Sequence, residues 1–331
     1  MIHSSITRRR LIAIAAMAGG AVLLGNRRAM AGAPISWRGS ALGAQVSIEI
    51  YHPDRIEAER LIHLCVGEVR RFEQQFSLYQ PDSAICTLNR TGILVSPSAD
   101  MVALLNASLD FAASTGGAFD PTVQPLWNLY AAHFAQAHSA PDGPSASSIT
   151  EALSKVGYRY LKVSADRIAL LKPGSAVTLN GIAQGYATDR VTEMLRAAGL
   201  STTLVDIGEI RAIGTKPGGL PWQVGLADPD EPGKMSKIID LADHAIATTA
   251  GSGFRFDSVG RFTHLFDPAT GRSPSRYRSV SVIAPTATEA DALSTAFSLL
   301  PGSRIREIIA ARPDIQVHLT EADGRTLVYG T

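Results

Sequence analysis

The hydrophobic period of this 331-residue chain switches repeatedly between two and about 3.6, never in strict strand–helix–strand alternation. That switching limits the fold more than any other feature. "AQVSIEIYH" (44–52) alternates apolar and polar residues and predicts a strand entering the core. After Asp54, Ile56, Leu61, Ile62, Cys65, Val66 and Val69 recur at helical spacing opposite a charged face, predicting a helix that runs to about Ser77. A second helix is predicted in "ADMVALLNASLDFAASTGG" (99–117), closed by Gly116-Gly117. "SAVTLNGIAQGYATDRVTEMLRAAGL" (175–200) reads as a strand, a glycine turn and an amphipathic helix, and "STTLVDIGEIRAIG" (201–214) as one strand. "SVSVIAPTATEADALSTAFSLL" (279–300) reads as a strand, a proline-bearing loop and a helix. "IQVHLTEADGRTLVYG" (315–330) reads as a hairpin turning at Asp323-Gly324. The Pro-, Ser- and Ala-rich "AQAHSAPDGPSASS" (135–148) is a surface excursion. Together these elements predict an α+β class, with mixed or antiparallel sheets and packed helices.

The first 31 residues read as a signal peptide, and 32–331 as one domain. Arg8, Arg9 and Arg10 precede an apolar run from Leu11 to about Gly25, short for a membrane span but suited to a signal sequence. Ala29-Met30-Ala31 supplies a cleavage site before Gly32. The arginines resemble a twin-arginine export signal, which predicts a periplasmic protein; an ordinary signal or an uncleaved anchor are the other readings. Residues 1–31 hold five arginines and no acids, so their removal takes the formal charge from +1 to −4. A near-neutral chain without a basic stripe argues against a nucleic-acid partner. Cys65 and Cys86 are the two cysteines; they could pair in an oxidising compartment, but two thiols read better as small buried hydrophobes.

Four stretches could carry chemistry. In "TEADALSTAF" (288–297), Thr288 is placed to cap a helix, and Asp291 and Thr295 fall on one face a turn apart. Two hard oxygen donors at that spacing are either half of a magnesium site or part of an ordinary capped helix. In "TLNGIAQGYATDR" (178–190), Gly181 and Gly185 allow close backbone approach before a helix, or simply make a turn; no G-x-G-x-x-G dinucleotide fingerprint occurs. In "TGGAFDPTVQPLWNLY" (115–130), Phe119 and Trp127 near Asp120 suit a flat ring with polar edges, or form a buried aromatic pair beside a turn acid. In "RFTHLFDPATGRSP" (261–274), His264 is a general base or a structural histidine. His52, His63, His133, His138, His244 and His318 show no metal-ligand spacing, which argues against zinc.

"FSLYQPDSAICTLNR", "GGAFDPTVQPLW", "NGIAQGYATDR", "HLFDPATGRSP" and "SVSVIAPTATEADALSTAF" occur in the order and spacing of the FAD:protein FMN transferases, and the chain resembles that ApbE family from about Ala41 onward. The signal peptide and the "NGIAQGYATD" variant are most similar to the periplasmic, NosX-like branch that serves nitrous-oxide respiration. The resemblance implies Mg²⁺-dependent transfer of FMN from FAD to a threonine or serine of a target protein, with AMP released. The implied target is a periplasmic or membrane-bound respiratory flavoprotein. By the same resemblance, Asp291, Thr295 and the Gly181 carbonyl match the family's metal ligands, and His264 its catalytic histidine. Leu42, Tyr79, Ala118, Phe119, Asp120 and the Phe266 backbone fall at flavin-pocket positions, as do Thr178 and Gln184. The last two depart from the pattern, since the family commonly carries an acid and a charged residue there. "GEI" (208–210) stands in place of the usual Gly-Gly-Asp, leaving the adenine-side contacts open. The same residues would serve an FAD pyrophosphatase that yields FMN and AMP, or a non-catalytic flavin carrier.

Overall fold

The structure, a computed structural model, describes residues 34–228 and 234–330. The predicted signal peptide, and the start of the predicted domain at residue 32, lie outside the described residues.

An eight-stranded sheet organises the molecule. Its strands are β1 (Ile35–Ala41), β2 (Ala44–Ile50), β6 (Thr203–Asp206), β7 (Ile210–Ile213), β10 (Ala245–Ala250), β11 (Tyr277–Ala284), β12 (Gln316–Glu321) and β13 (Thr326–Tyr329), in that spatial order. Every pairing in it is antiparallel. β3 (Ile93–Val95), β4 (Leu161–Val163) and β5 (Arg167–Leu170) form a small second sheet, and β8 (Trp222–Ala227) with β9 (Met235–Leu241) a two-stranded ribbon.

Period-2 alternation divides the strand side chains between the two faces of the large sheet. On β7, Ile210 and Ala212 join an apolar cluster with Trp222, Val224, Ile239 and Leu241 of the ribbon. Ile213 belongs instead to the main core, which includes residues of α1 (Arg55–Phe76), α6 (Ala183–Ala197) and α7 (Ala287–Phe297). α1 starts where the Asp54 carboxylate accepts the amides of Ile56 and Glu57. Its buried side chains, Ala58, Leu61, Ile62, Cys65, Val69, Phe72 and Phe76, keep three- and four-residue spacing. The exception is Ile56, in the first turn, which is 80% exposed. Cys65 and Cys86 are both free thiols; Cys65 packs in the core and the Cys86 thiol faces the Ser77 and Leu78 carbonyls.

α4 (Gln124–Phe134) and α5 (Ala146–Leu153) build a third, aromatic cluster with the loop 254–266. Tyr130 packs on Phe266 with ring centroids 4.9 Å apart, and its hydroxyl donates to the Gly271 carbonyl at 3.0 Å. α2 (Ala84–Thr91), α3 (Ala99–Ser114) and α8 (Gly302–Ile309) complete the helices. No helix among the described residues is long and apolar enough to cross a membrane.

Three expectations change. Residues 201–214 form two strands, because the chain turns at Ile207–Glu209, where the Ile207 amide donates to the Glu209 carbonyl. Residues 175–179 form no strand. The Asn89 side chain takes the place of a neighbouring strand there: its Oδ1 accepts from the Val177 amide at 2.6 Å and its Nδ2 donates to the Val177 carbonyl at 2.8 Å. Thr288 is not the cap of α7. Thr286 is, accepting the Glu289 amide, while Thr288 turns its hydroxyl to Asp189.

Candidate active site

A cavity of about 480 Å³ opens between α4, the N-terminus of α6, β7, β10, the ribbon and α7. That volume lies in the usual range for a small-molecule site. Of the predicted site residues, Tyr79, Ala118, Phe119, Asp120, Thr178, Gly181, Gln184, His264, Phe266, Asp291 and Thr295 line it. They come from segments more than two hundred residues apart. Leu42 is not among the lining residues; it reaches the cavity through Gln184, whose Nε2 donates to the Leu42 carbonyl at 3.1 Å.

One wall is the meeting of α6 and α7. The Gly185 amide donates to Asp291 Oδ2 at 3.0 Å. A Cβ on Gly185 would lie 2.3 Å from the Ala287 carbonyl oxygen, so only glycine permits this approach. At Gly181 a Cβ would lie 2.8 Å from Thr295 Oγ1, which puts the Gly181 backbone against that hydroxyl. Thr295 Oγ1 has a further hydroxyl, Thr249 Oγ1, at 3.5 Å. Asp291, Thr295 and Gly181 therefore converge on one corner.

The acids of that corner are held above their ordinary range by burial. Burial pushes the Asp291 carboxyl up to about 7; the Gly185 hydrogen bond opposes this and the Asp189 charge adds to it. Glu209 is held well above the usual carboxylate range by burial, then by the charges of Asp291 and Asp206. Asp206 is pushed up to about 7 by burial, against the hydrogen bond from the Gly208 amide. Burying acids side by side favours their protonated forms, or a cation between them and water. Among the described residues no three His, Cys, Asp or Glu side chains form a ready metal cluster. The oxygen set here is one carboxylate, one hydroxyl and one backbone group, hard donors that fit a magnesium ion retaining waters and substrate oxygens.

His264 faces the cavity from the loop that the aromatic cluster fixes. Its amide donates to the Phe254 carbonyl at 3.2 Å, and its Nδ1 lies 3.3 Å from the same oxygen. A carbonyl only accepts, so Nδ1 carries the proton and Nε2 keeps its lone pair. Burial lowers the imidazole pKa, with the Phe254 contact opposing. The ring is thus a neutral base at neutral pH.

Phe119 and Trp127 both line the cavity but do not stack on each other. Phe119 meets Phe111, and Trp127 meets Phe254 and Phe256. Asp120 is engaged in turn-making: Oδ1 accepts the Thr122 amide and hydroxyl, and Oδ2 accepts the Tyr158 amide. Tyr79 stands half-exposed at the rim, and Phe266 is buried.

Sequence reasoning missed Glu209, Asp206, Asp189 and Arg211. For Asp206, Glu209 and Arg211 the trace in the sequence was two acids and an arginine inside the apolar "VDIGEIR", where strand positions are buried; Asp189 lies outside that stretch.

A sequence model described as the ApbE family matches residues 42–319. The FAD:protein FMN transferase of Escherichia coli (strain K12) is 33% identical over 264 residues, 76% of this chain and 74% of that protein. The FAD:protein FMN transferase of Treponema pallidum (strain Nichols) is 32% identical, covering 72% of each chain. Among solved structures, the ApbE protein of Thermotoga maritima superposes with a TM-score of 0.78 at 29% identity, over 89% of this chain and 97% of that one. The flavin transferase ApbE of Vibrio cholerae gives 0.78 at 26% identity, over 91% and 98%.

Proposed function

This chain belongs to the ApbE family, and we propose that it is an FAD:protein FMN transferase working in the cavity of His264 and Asp291. The acceptor is a threonine or serine hydroxyl of a target protein. Its oxygen attacks the FMN-side phosphorus of FAD, a new phosphoester bond forms, and the bond from that phosphorus to the bridging oxygen breaks. AMP departs with the pyrophosphate electrons, and the hydroxyl proton passes to His264 Nε2.

One observation supports this reading above the others: a neutral imidazole with a free Nε2 shares a cavity with a buried acid held above its ordinary range. Asp291, Thr295 and the Gly181 backbone would hold Mg²⁺, which when bound neutralises pyrophosphate charge. Phe119, Tyr79 and Trp127 offer flat apolar surface for the flavin, beside the Phe266 backbone. Gln184 and Thr178 contribute only neutral hydrogen bonding, weaker than the charged groups common in the family. The arginine-led N-terminus supports export to the periplasm, and with "NGIAQGYATD" a place in the NosX-like branch serving a respiratory flavoprotein.

Replacing His264 with Ala tests the assignment. FAD binding, followed by flavin fluorescence, is expected to persist while FMN transfer falls by roughly 10²–10⁴-fold. Loss of FAD binding in proportion to activity would make His264 a pocket wall, and unchanged transfer would remove it from the reaction.

A further inference from the structure

Asp189 does not line the cavity, yet it is tied to α7 directly behind the corner where Asp291 and Thr295 meet Gly181. Its Oδ1 accepts from Arg211 Nη1 at 2.5 Å and from the Ala287 amide at 2.8 Å. Its Oδ2 accepts the Thr288 amide at 2.8 Å and the Thr288 hydroxyl at 2.5 Å. The first amides of a helix lack partners within it. In α7, the Glu289 amide is taken by Thr286, but the amides of Ala287 and Thr288 are taken by a carboxylate on another helix. Four residues earlier on α6, the Gly185 amide holds the Asp291 carboxylate. One turn of α6 thus grips one turn of α7 at both ends, across a contact too tight for any side chain at Gly185.

We infer that Asp189, oriented by Arg211, is a positioning residue that sets α7 against α6 so that Asp291 and Thr295 present their oxygens to a divalent cation. This rests on the cation site proposed above. Arg211 lies on β7, next to Ile210 of the cavity lining, so the same contact links the central sheet to the site. Both members of the ion pair are buried, with side chains 9% and 8% exposed. A surface device would tolerate slack; a buried carboxylate holding four hydrogen bonds does not.

The test compares two double variants in the full chain, each free of an unpaired buried charge, by Mn²⁺ titration followed by electron paramagnetic resonance. Asp189→Ala with Arg211→Met removes the side-chain acceptor of the Ala287 and Thr288 amides. Asp189→Asn with Arg211→Met keeps a carbonyl oxygen there. The first is expected to bind Mn²⁺ roughly 10–100-fold more weakly than the wild type, and the second within about threefold. Leu195→Ala, a buried change elsewhere in α6, should lower the melting temperature without weakening Mn²⁺ binding. Equal Mn²⁺ affinity in the two double variants, or weakening as large in Leu195→Ala, would overturn the positioning role. Failure of the wild type to bind Mn²⁺ would instead overturn the cation site itself, and the inference with it.

Discussion

If His264 is the base of the proposed reaction, its depressed pKa fixes the direction of the pH dependence. With Mg²⁺ saturating, transfer should rise with pH in a window below the ordinary histidine value of 6.5, then level off by neutrality. In His264→Ala that rise should vanish, which a pH–rate profile of single turnovers would reveal; an unaltered profile would place the titration elsewhere. Asp291→Asn keeps the shape and the Gly185 contact but loses the charge, and should lower transfer by about 10²-fold or more. Titration with Mg²⁺ should show no saturable dependence in that variant. The Asp291–Thr295 pair was legible in the sequence because helical periodicity alone puts residues four apart on one face. Glu209 stood out only as an acid in an apolar stretch; its placement was not legible, because it depends on a turn inside an apparently continuous strand.

At the scale of elements, the crossing of α6 and α7 constrains the site through backbone contact. Gly185→Ala would drive a methyl into the Ala287 carbonyl, which is backbone and cannot rotate away. The two helices would have to separate, costing about 1–3 kcal/mol, visible as a lower denaturant midpoint and weaker Mg²⁺ dependence. A midpoint equal to the wild type would show that the helices have room to spare. Four of the eight helices among the described residues (α1, α3, α6 and α7) and the closing hairpin were readable from period and turn residues, as α1 shows with seven buried residues at helical spacing. The stretch 175–179 was not readable, because a side chain eighty-eight residues away, Asn89, satisfies its backbone. Nor was the cap of α7: the sequence pointed to Thr288, but Asp189 on a different helix takes the Thr288 hydroxyl and Thr286 makes the cap.

For the whole molecule, three buried acids with raised pKa values should contribute a loss of stability to the cation-free protein as pH rises. The sign follows from linkage: between the ordinary carboxylate range and about 7, the folded state holds protons that the unfolded chain has lost. If Mg²⁺ binds at Asp291 as proposed, it competes there with the proton, so the gain in melting temperature on adding Mg²⁺ should be larger at pH 8 than at pH 6. Scanning calorimetry with and without chelator checks this; a gain that shrinks with pH would contradict the site. The antiparallel α+β architecture was legible overall, whereas the ribbon of β8 and β9 closing over the cavity was not, since no local pattern says which face of a sheet a hairpin covers. If export follows the twin-arginine route, Arg8, Arg9 and Arg10 replaced by lysine should leave precursor in the cytoplasm, read by fractionation and immunoblotting; normal periplasmic yield would point to general secretion. The most direct test of the account is product analysis by mass spectrometry after incubation with FAD, Mg²⁺ and a flavin-accepting protein. The account predicts one FMN phosphoester on a threonine or serine of the acceptor, with AMP released in equal amount. Free FMN and AMP with no adduct, or FAD bound and unchanged, would contradict it.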